Sequence, residues 1–166
     1  MKKNIVLSLC ILLLLLPSCA ERSSVSCREV LDTLTNAEIG LPAGQIYDLC
    51  APEGDKEYLD ERLINSLFGE GAEPPMRSGW LDLALFLSTS SHPCEFAVFL
   101  CDTTDTATDT ARLLCRRLDI VRTSKKYAEV SSILDSATVT IIENYVLLII
   151  SSDIDNAVKA AENIIN

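Results

Sequence analysis

The sequence predicts an α+β domain: a largely antiparallel four-stranded sheet from two strand-strand-helix units, helices packed mainly on one face, preceded by N-terminal helices. Three observations carry this. The first part of the chain reads as helices broken by Gly- and Pro-rich stretches, and from Trp80 onward β-type alternation takes over. Within that second part the order strand, strand, helix occurs twice. Finally, 48% of the 166 residues are hydrophobic, enough for one domain with a real core.

"CREVLDTLTNAE" sets Val30, Leu31 and Leu34 on one helical face, with Ser24 or Ser26 as N-cap. "IGLPAGQIYDLCAPEGD" reads as loop, with a short extended piece at Gln45 to Leu49. "EYLDERLINSLFGEG" predicts a second helix, its apolar face made of Tyr58, Leu59, Leu63 and Leu67 and its stop at Gly69. "GEGAEPPMRSG" is a linker. "WLDLALFLS" alternates, with Leu81, Leu83, Leu85 and Leu87 on one side. "CEFAVFL" is apolar on both sides: Phe96, Val98 and Leu100 on one, Ala97 and Phe99 on the other, as expected of a central strand. "TTDTATDTARLLCRRLDIV" then lines up Ala107, Ala111, Leu114, Leu118 and Val121 at helical spacing. Its acidic residues Asp105 and Asp109 precede Arg112, Arg116 and Arg117, the order the helix dipole favours. "ATVTIIENYVLLIIS" is a hairpin turning at Glu143-Asn144, and Ser152 or Asp153 caps a last helix with Ala157, Val158, Ala161, Ile164 and Ile165 apolar. Hairpins that lead directly into helices let each helix fold back across the sheet.

The leader decides where the chain is expected to reside. Lys2 and Lys3 precede "NIVLSLCILLLLL", a basic start and an apolar run too short to span a bilayer comfortably, which marks a secretory signal. Leu16-Pro17-Ser18-Cys19 resembles the lipobox of bacterial lipoproteins. That resemblance implies diacylglyceryl transfer to Cys19, cleavage after Ser18, and a mature chain anchored on the outer face of the cytoplasmic membrane in a Gram-positive-type envelope. The expected organisation is therefore a signal peptide over 1–18, a polar tether over 19–25 and a single domain over 26–166. Removing the leader takes two of the 14 basic residues and none of the 24 acidic ones, so the net charge moves from −10 to −12. A chain so acidic is repelled by nucleic acid and by anionic headgroups, which excludes nucleic acid as an expected partner and leaves the lipid as the membrane anchor.

Beyond Cys10 and Cys19, the cysteines are Cys27, Cys50, Cys94, Cys101 and Cys115. None sits at C-x-x-C spacing and there is one histidine, so a Cys/His zinc site is not expected. Cys101 and Cys115 fall in strand and helix patterns and are expected to act as small core hydrophobes. Buried, reduced thiols are the expected state, with one disulfide an open alternative.

With "LPAGQIYDL", "EYLDERLINSLFG", "EFAVFL", "RLLCRRL" and "ENYVLLIISSDIDNAVKAAENII" following a lipobox leader, the chain resembles a family of uncharacterised lipoproteins of low-GC Gram-positive bacteria, of the DUF4358 type. The resemblance covers most of the mature chain and is strongest from Glu95 to Ile165. Glu95, Ala97, Val98 and Phe99 fill the family's acidic position and Ala-Val-Phe strand core, whereas Cys94, Cys101 and Cys115 lie outside its pattern. The resemblance implies no activity or ligand.

His92-Pro93-Cys94 is the stretch most like a nucleophile with its base, but Pro93 holds the two in extended geometry, and an exposed loop is the preferred reading. Asp102, Asp105 and Asp109 lack the spacing of a calcium loop and read as a helix N-terminus. Glu53, Asp55, Glu57, Asp60 and Glu61, around Tyr58, read as a solvated helix start, Gly69-Glu70-Gly71 lacks a phosphate-cradling context, and Trp80 reads as a core-edge residue. No catalytic, cofactor or metal residue is expected. The function expected is that of an anchored, non-enzymatic binding or adaptor domain with a protein partner in the envelope, the alternative being a small extracytoplasmic enzyme or an accessory subunit of an envelope complex.

Overall fold

The computed structural model describes residues 25–69, 75 and 77–166. The leader, Cys19 and most of the tether lie outside the described residues, as do Glu70 and Gly71. Helix α1 (Cys27–Ala37) opens with a capping box: the Ser26 hydroxyl accepts the Glu29 N–H, and the Glu29 carboxylate accepts the Ser26 N–H. Strand β1 (Gly44–Asp48) follows, then α2 (Glu61–Phe68), β2 (Trp80–Ser88), β3 (Glu95–Cys101) and α3 (Thr104–Thr123). A 3-10 turn at Lys125–Val130 leads to α4 (Ser131–Ser136), β4 (Thr138–Ile142), β5 (Tyr145–Ile150) and α5 (Ile154–Ile165). Helix α2 begins only at Glu61, where the Asp60 carboxylate accepts the Leu63 N–H. Tyr58 and Leu59 therefore precede the helix instead of forming its first turn.

Two corrections to the expected architecture follow. Among the described residues the sheet has five strands, all antiparallel, in the order β1-β2-β3-β5-β4. The extra strand is the piece around Gln45–Asp48, which pairs along the edge of β2 from Gly44↔Ser88 to Asp48↔Ala84. The helices also cover both faces instead of mainly one. On one face α1 and α5 meet Ala84, Phe86, Phe96, Val98, Leu147 and Ile149, and on the other α2, α3 and α4 meet Leu83, Leu85, Ala97, Phe99, Val146 and Leu148. The cause is visible in β3 and β5, every residue of which is buried: a strand apolar on both sides needs a layer on each. The β4–β5 hairpin turns at Glu143-Asn144 as expected, with Glu143 in the left-handed region at φ 52°.

One irregularity positions side chains. Trp80 pairs with Cys101 but Asp82 pairs with Leu100, so Leu81 is the additional residue of a bulge and is 61% exposed. The bulge separates Leu81 from the Leu83, Leu85 and Leu87 side. It also turns Asp82 toward the start of α1, where its Oδ2 accepts the Cys27 N–H at 2.7 Å.

Candidate functional site

Polar side chains gather at the two ends of the sheet. The first end is formed by the β2–β3 loop, the C-terminus of α1 and the β5–α5 junction. Here the Cys94 N–H donates to the His92 carbonyl at 3.0 Å, a tight turn across Pro93. The Cys94 thiol is buried, and burial, followed by the charges of Glu38 and Glu95, pushes it up to about 12. A nucleophilic cysteine requires the opposite shift and a base within hydrogen-bond reach. His92 Nδ1 is buried and makes no hydrogen bond among the described residues.

Beside Cys94, the buried Glu95 carboxylate accepts two hydrogen bonds from Arg117 of α3, Nε to Oε1 at 3.0 Å and Nη2 to Oε2 at 2.8 Å. Burial alone would lower Arg117, but the Glu95 hydrogen bonds and charge outweigh it and hold the guanidinium above its ordinary value. This pair lines a cavity of about 140 Å³ together with Ser88, Cys94, Val121 and Tyr127. Glu38, also buried, accepts from the Ser151 hydroxyl, from the Ser152 N–H at 3.1 Å and from the Ser152 hydroxyl at 2.7 Å, fastening the end of α1 to the start of α5.

At the opposite end, Asp48 closes β1, Cys50 sits in the following turn and Asp82 begins the regular part of β2. One oxygen from each carboxylate and the Cys50 sulfur all lie within 4.8 Å of one another. This set was not expected from the sequence, where Cys50 had no partner at ligand spacing. Its signal was present in Asp82, the one charge inside "WLDLALFLS", and Asp48, the one charge inside "GQIYD".

The remaining candidates are structural. Asp102 accepts the Thr106 hydroxyl at 2.8 Å, Asp105 lies in the first turn of α3, and Asp109 pairs with Arg112, so these three belong to a helix start capped by Thr103. Glu57 pairs with Arg28, Asp55 accepts the Glu57 N–H, and Glu61 faces Arg77 at 3.5 Å; the acidic stretch is thus partly neutralised, and Glu53 is exposed. Trp80 packs edge-on against Phe99, ring centroids 4.8 Å apart, and donates its indole N–H to Thr110. Cys101 is buried as expected, but Cys115 is exposed: it lies off the apolar stripe of α3, on the side away from Leu114 and Leu118. All five described cysteines are free thiols.

Fold and site together define a three-layer α+β domain with an antiparallel five-stranded sheet, carrying a polar cavity at one end and a thiol–carboxylate cluster at the other. No protein family, curated protein or solved structure matches the chain. Among the described residues, no helix is long and apolar enough to cross a membrane.

Proposed function

We propose that the chain is an extracytoplasmic lipoprotein, held by a diacylglyceryl group on Cys19 at the outer face of the cytoplasmic membrane, and that its domain binds a partner in the envelope without catalysing a reaction. The observation that carries this reading is the position of chain entry. The Val25 carbonyl accepts the Tyr145 hydroxyl, and Tyr145 begins β5 beside the Glu143-Asn144 turn. The cavity of Glu95 and Arg117 lies at the other end of the same strands, where Glu95 pairs with Ile150. Six residues link Cys19 to Val25 and reach about 20 Å at most. The entry end therefore stays near the bilayer while the cavity end points into the envelope. The buried, protonated Cys94 thiol and the neutralised Glu95–Arg117 pair suit holding a ligand or a protein side chain better than turnover.

The test is in-cell crosslinking, pull-down and mass spectrometry on the native chain and on Cys19→Ala, with lipid labelling alongside. The expected result is a lipid-labelled native chain, no label on Cys19→Ala, and a specific envelope protein recovered with the anchored form and lost with Cys19→Ala. A native chain whose Cys19 carries no lipid refutes the anchor, and the lack of any reproducible partner refutes the adaptor role.

A further inference from the structure

The cluster at the entry end of the sheet is built from three separate segments that the fold brings together. Strand β1 ends at Asp48, whose Oδ1 accepts the Cys50 N–H at 2.7 Å and so sets the direction of the turn that carries Cys50. The bulge before Asp82 fixes its carboxylate, with Oδ1 accepting the Leu83 N–H at 2.8 Å and Oδ2 the Cys27 N–H at 2.7 Å. The Cys50 sulfur lies 3.6 Å from Asp82 Oδ1. A second cysteine, Cys27, is fully buried beside Asp82 and bonded to it through its backbone N–H.

Two features of this cluster point the same way. Its negative charge has no counterpart: among the described residues no basic side chain is bonded to Asp48 or Asp82, and Arg28, next to Cys27, is engaged with Asp32 and Glu57. Its geometry is close to a coordination shell. In a tetrahedral zinc site the ligand atoms sit roughly 3.4–3.6 Å apart, and here the three donors lie within 4.8 Å of one another, with the Cys50 sulfur 3.6 Å from Asp82 Oδ1. The donor set is also selective, because a thiolate with two carboxylates suits zinc-type ions and is poorly matched to magnesium or calcium, which take oxygen.

We propose that Asp48, Cys50 and Asp82 form a binding site for a zinc-type divalent cation, with three protein ligands and a remaining position for solvent. On binding, the Cys50 S–H bond is replaced by a sulfur–metal bond and the proton passes to solvent. The ion links the edge strand β1 and its turn to β2, and the half-exposed position of Asp48 and Asp82 leaves a path for its entry. The site is independent of the anchor and of the cavity.

Cobalt(II) is the probe. The full chain, purified in detergent and kept reduced, is titrated with cobalt and then with zinc. The expected result is one thiolate-to-cobalt charge-transfer band, saturating at one ion per chain and bleached by zinc. Cys50→Ser abolishes the band, and Asp48→Asn weakens cobalt binding at least tenfold with an unchanged circular dichroism spectrum. Cys115→Ser, on the exposed side of α3, leaves the band intact. Asp48→Asn also keeps the test decisive should Asp82→Asn, which loses a contact to the start of α1, fail to fold. No band in the folded parent chain, a band that survives Cys50→Ser, or one lost with Cys115→Ser overturns the proposal.

Discussion

Replacing Arg117 by methionine removes the one partner that the two oxygens of Glu95 have among the described residues; Glu95 is 6% exposed at the first position of the central strand. Its cross-strand neighbours, Leu87 and Ile150, are both apolar. Breaking a buried pair from one side costs about 3–5 kcal/mol, because the remaining charge stays desolvated. Arg117 is itself 18% exposed, which admits some water and places the expected loss near the lower figure, about 3 kcal/mol. With a urea m-value of about 2 kcal/mol/M, that loss lowers the unfolding midpoint by roughly 1.5 M. Replacing both residues by methionine removes charge and partner together and returns stability to within about 1 kcal/mol of the parent. The assay is urea unfolding followed by far-ultraviolet circular dichroism under reducing conditions, for the parent, both single variants and the double. A loss below about 1 kcal/mol in Arg117→Met, or a double variant no better than Arg117→Met, refutes the reasoning that Glu95 depends on this one partner.

Two further outcomes are expected. In Gly44→Ala the added methyl would sit 2.3 Å from the Phe86 ring and 2.8 Å from the Leu87 carbonyl, so overpacking should cost about 1–3 kcal/mol and lower the Tm by several degrees; a Tm within about a degree of the parent's contradicts the placement of β1. The Cys94 thiol, pushed up to about 12 from 9.0, keeps its proton in the fold where the unfolded chain loses it, so its contribution is present below pH 9 and lost as pH rises toward 12. Stability should therefore fall over that range by up to about 1.4 kcal/mol per pH unit from this thiol, and Cys94→Ala should flatten the slope measured by urea unfolding at stepped pH.

Most of the fold was legible because its elements follow local rules. The two-sided apolar run of β3, the Glu143-Asn144 turn and the stripe of α3 each follow from period and turn chemistry that a single segment contains. The fifth strand was harder to read: Gly44–Asp48 is short and only half-buried, and what makes it a strand is the β2 edge it pairs with, not its own pattern. Two-sided cover was implied by Ala97 and Phe99 opposite Phe96 and Val98, yet strand order had to be known before helices could be assigned to faces. The sites show the same division. His92 and Cys94 are adjacent in sequence and attract notice, whereas Asp48, Cys50 and Asp82 come together only through the β1–β2 pairing and a one-residue bulge. Glu38 and Ser151, more than 100 residues apart, were not foreseeable from local pattern at all.

The partners of α1 also bear on the order in which a growing or exported chain completes its structure. Val30, Leu31 and Leu34 bury against Phe96, Val98, Leu147 and Ile149 and against the helix that ends at Ile165, and the Val25–Tyr145 and Glu38–Ser152 hydrogen bonds span 120 and 114 residues. The first of the described elements to emerge is thus the last to find its surface. Until β5 and α5 have been released, α1 is an amphipathic segment with an open apolar side, and the face covered by α1 and α5 cannot close before these C-terminal elements are in place.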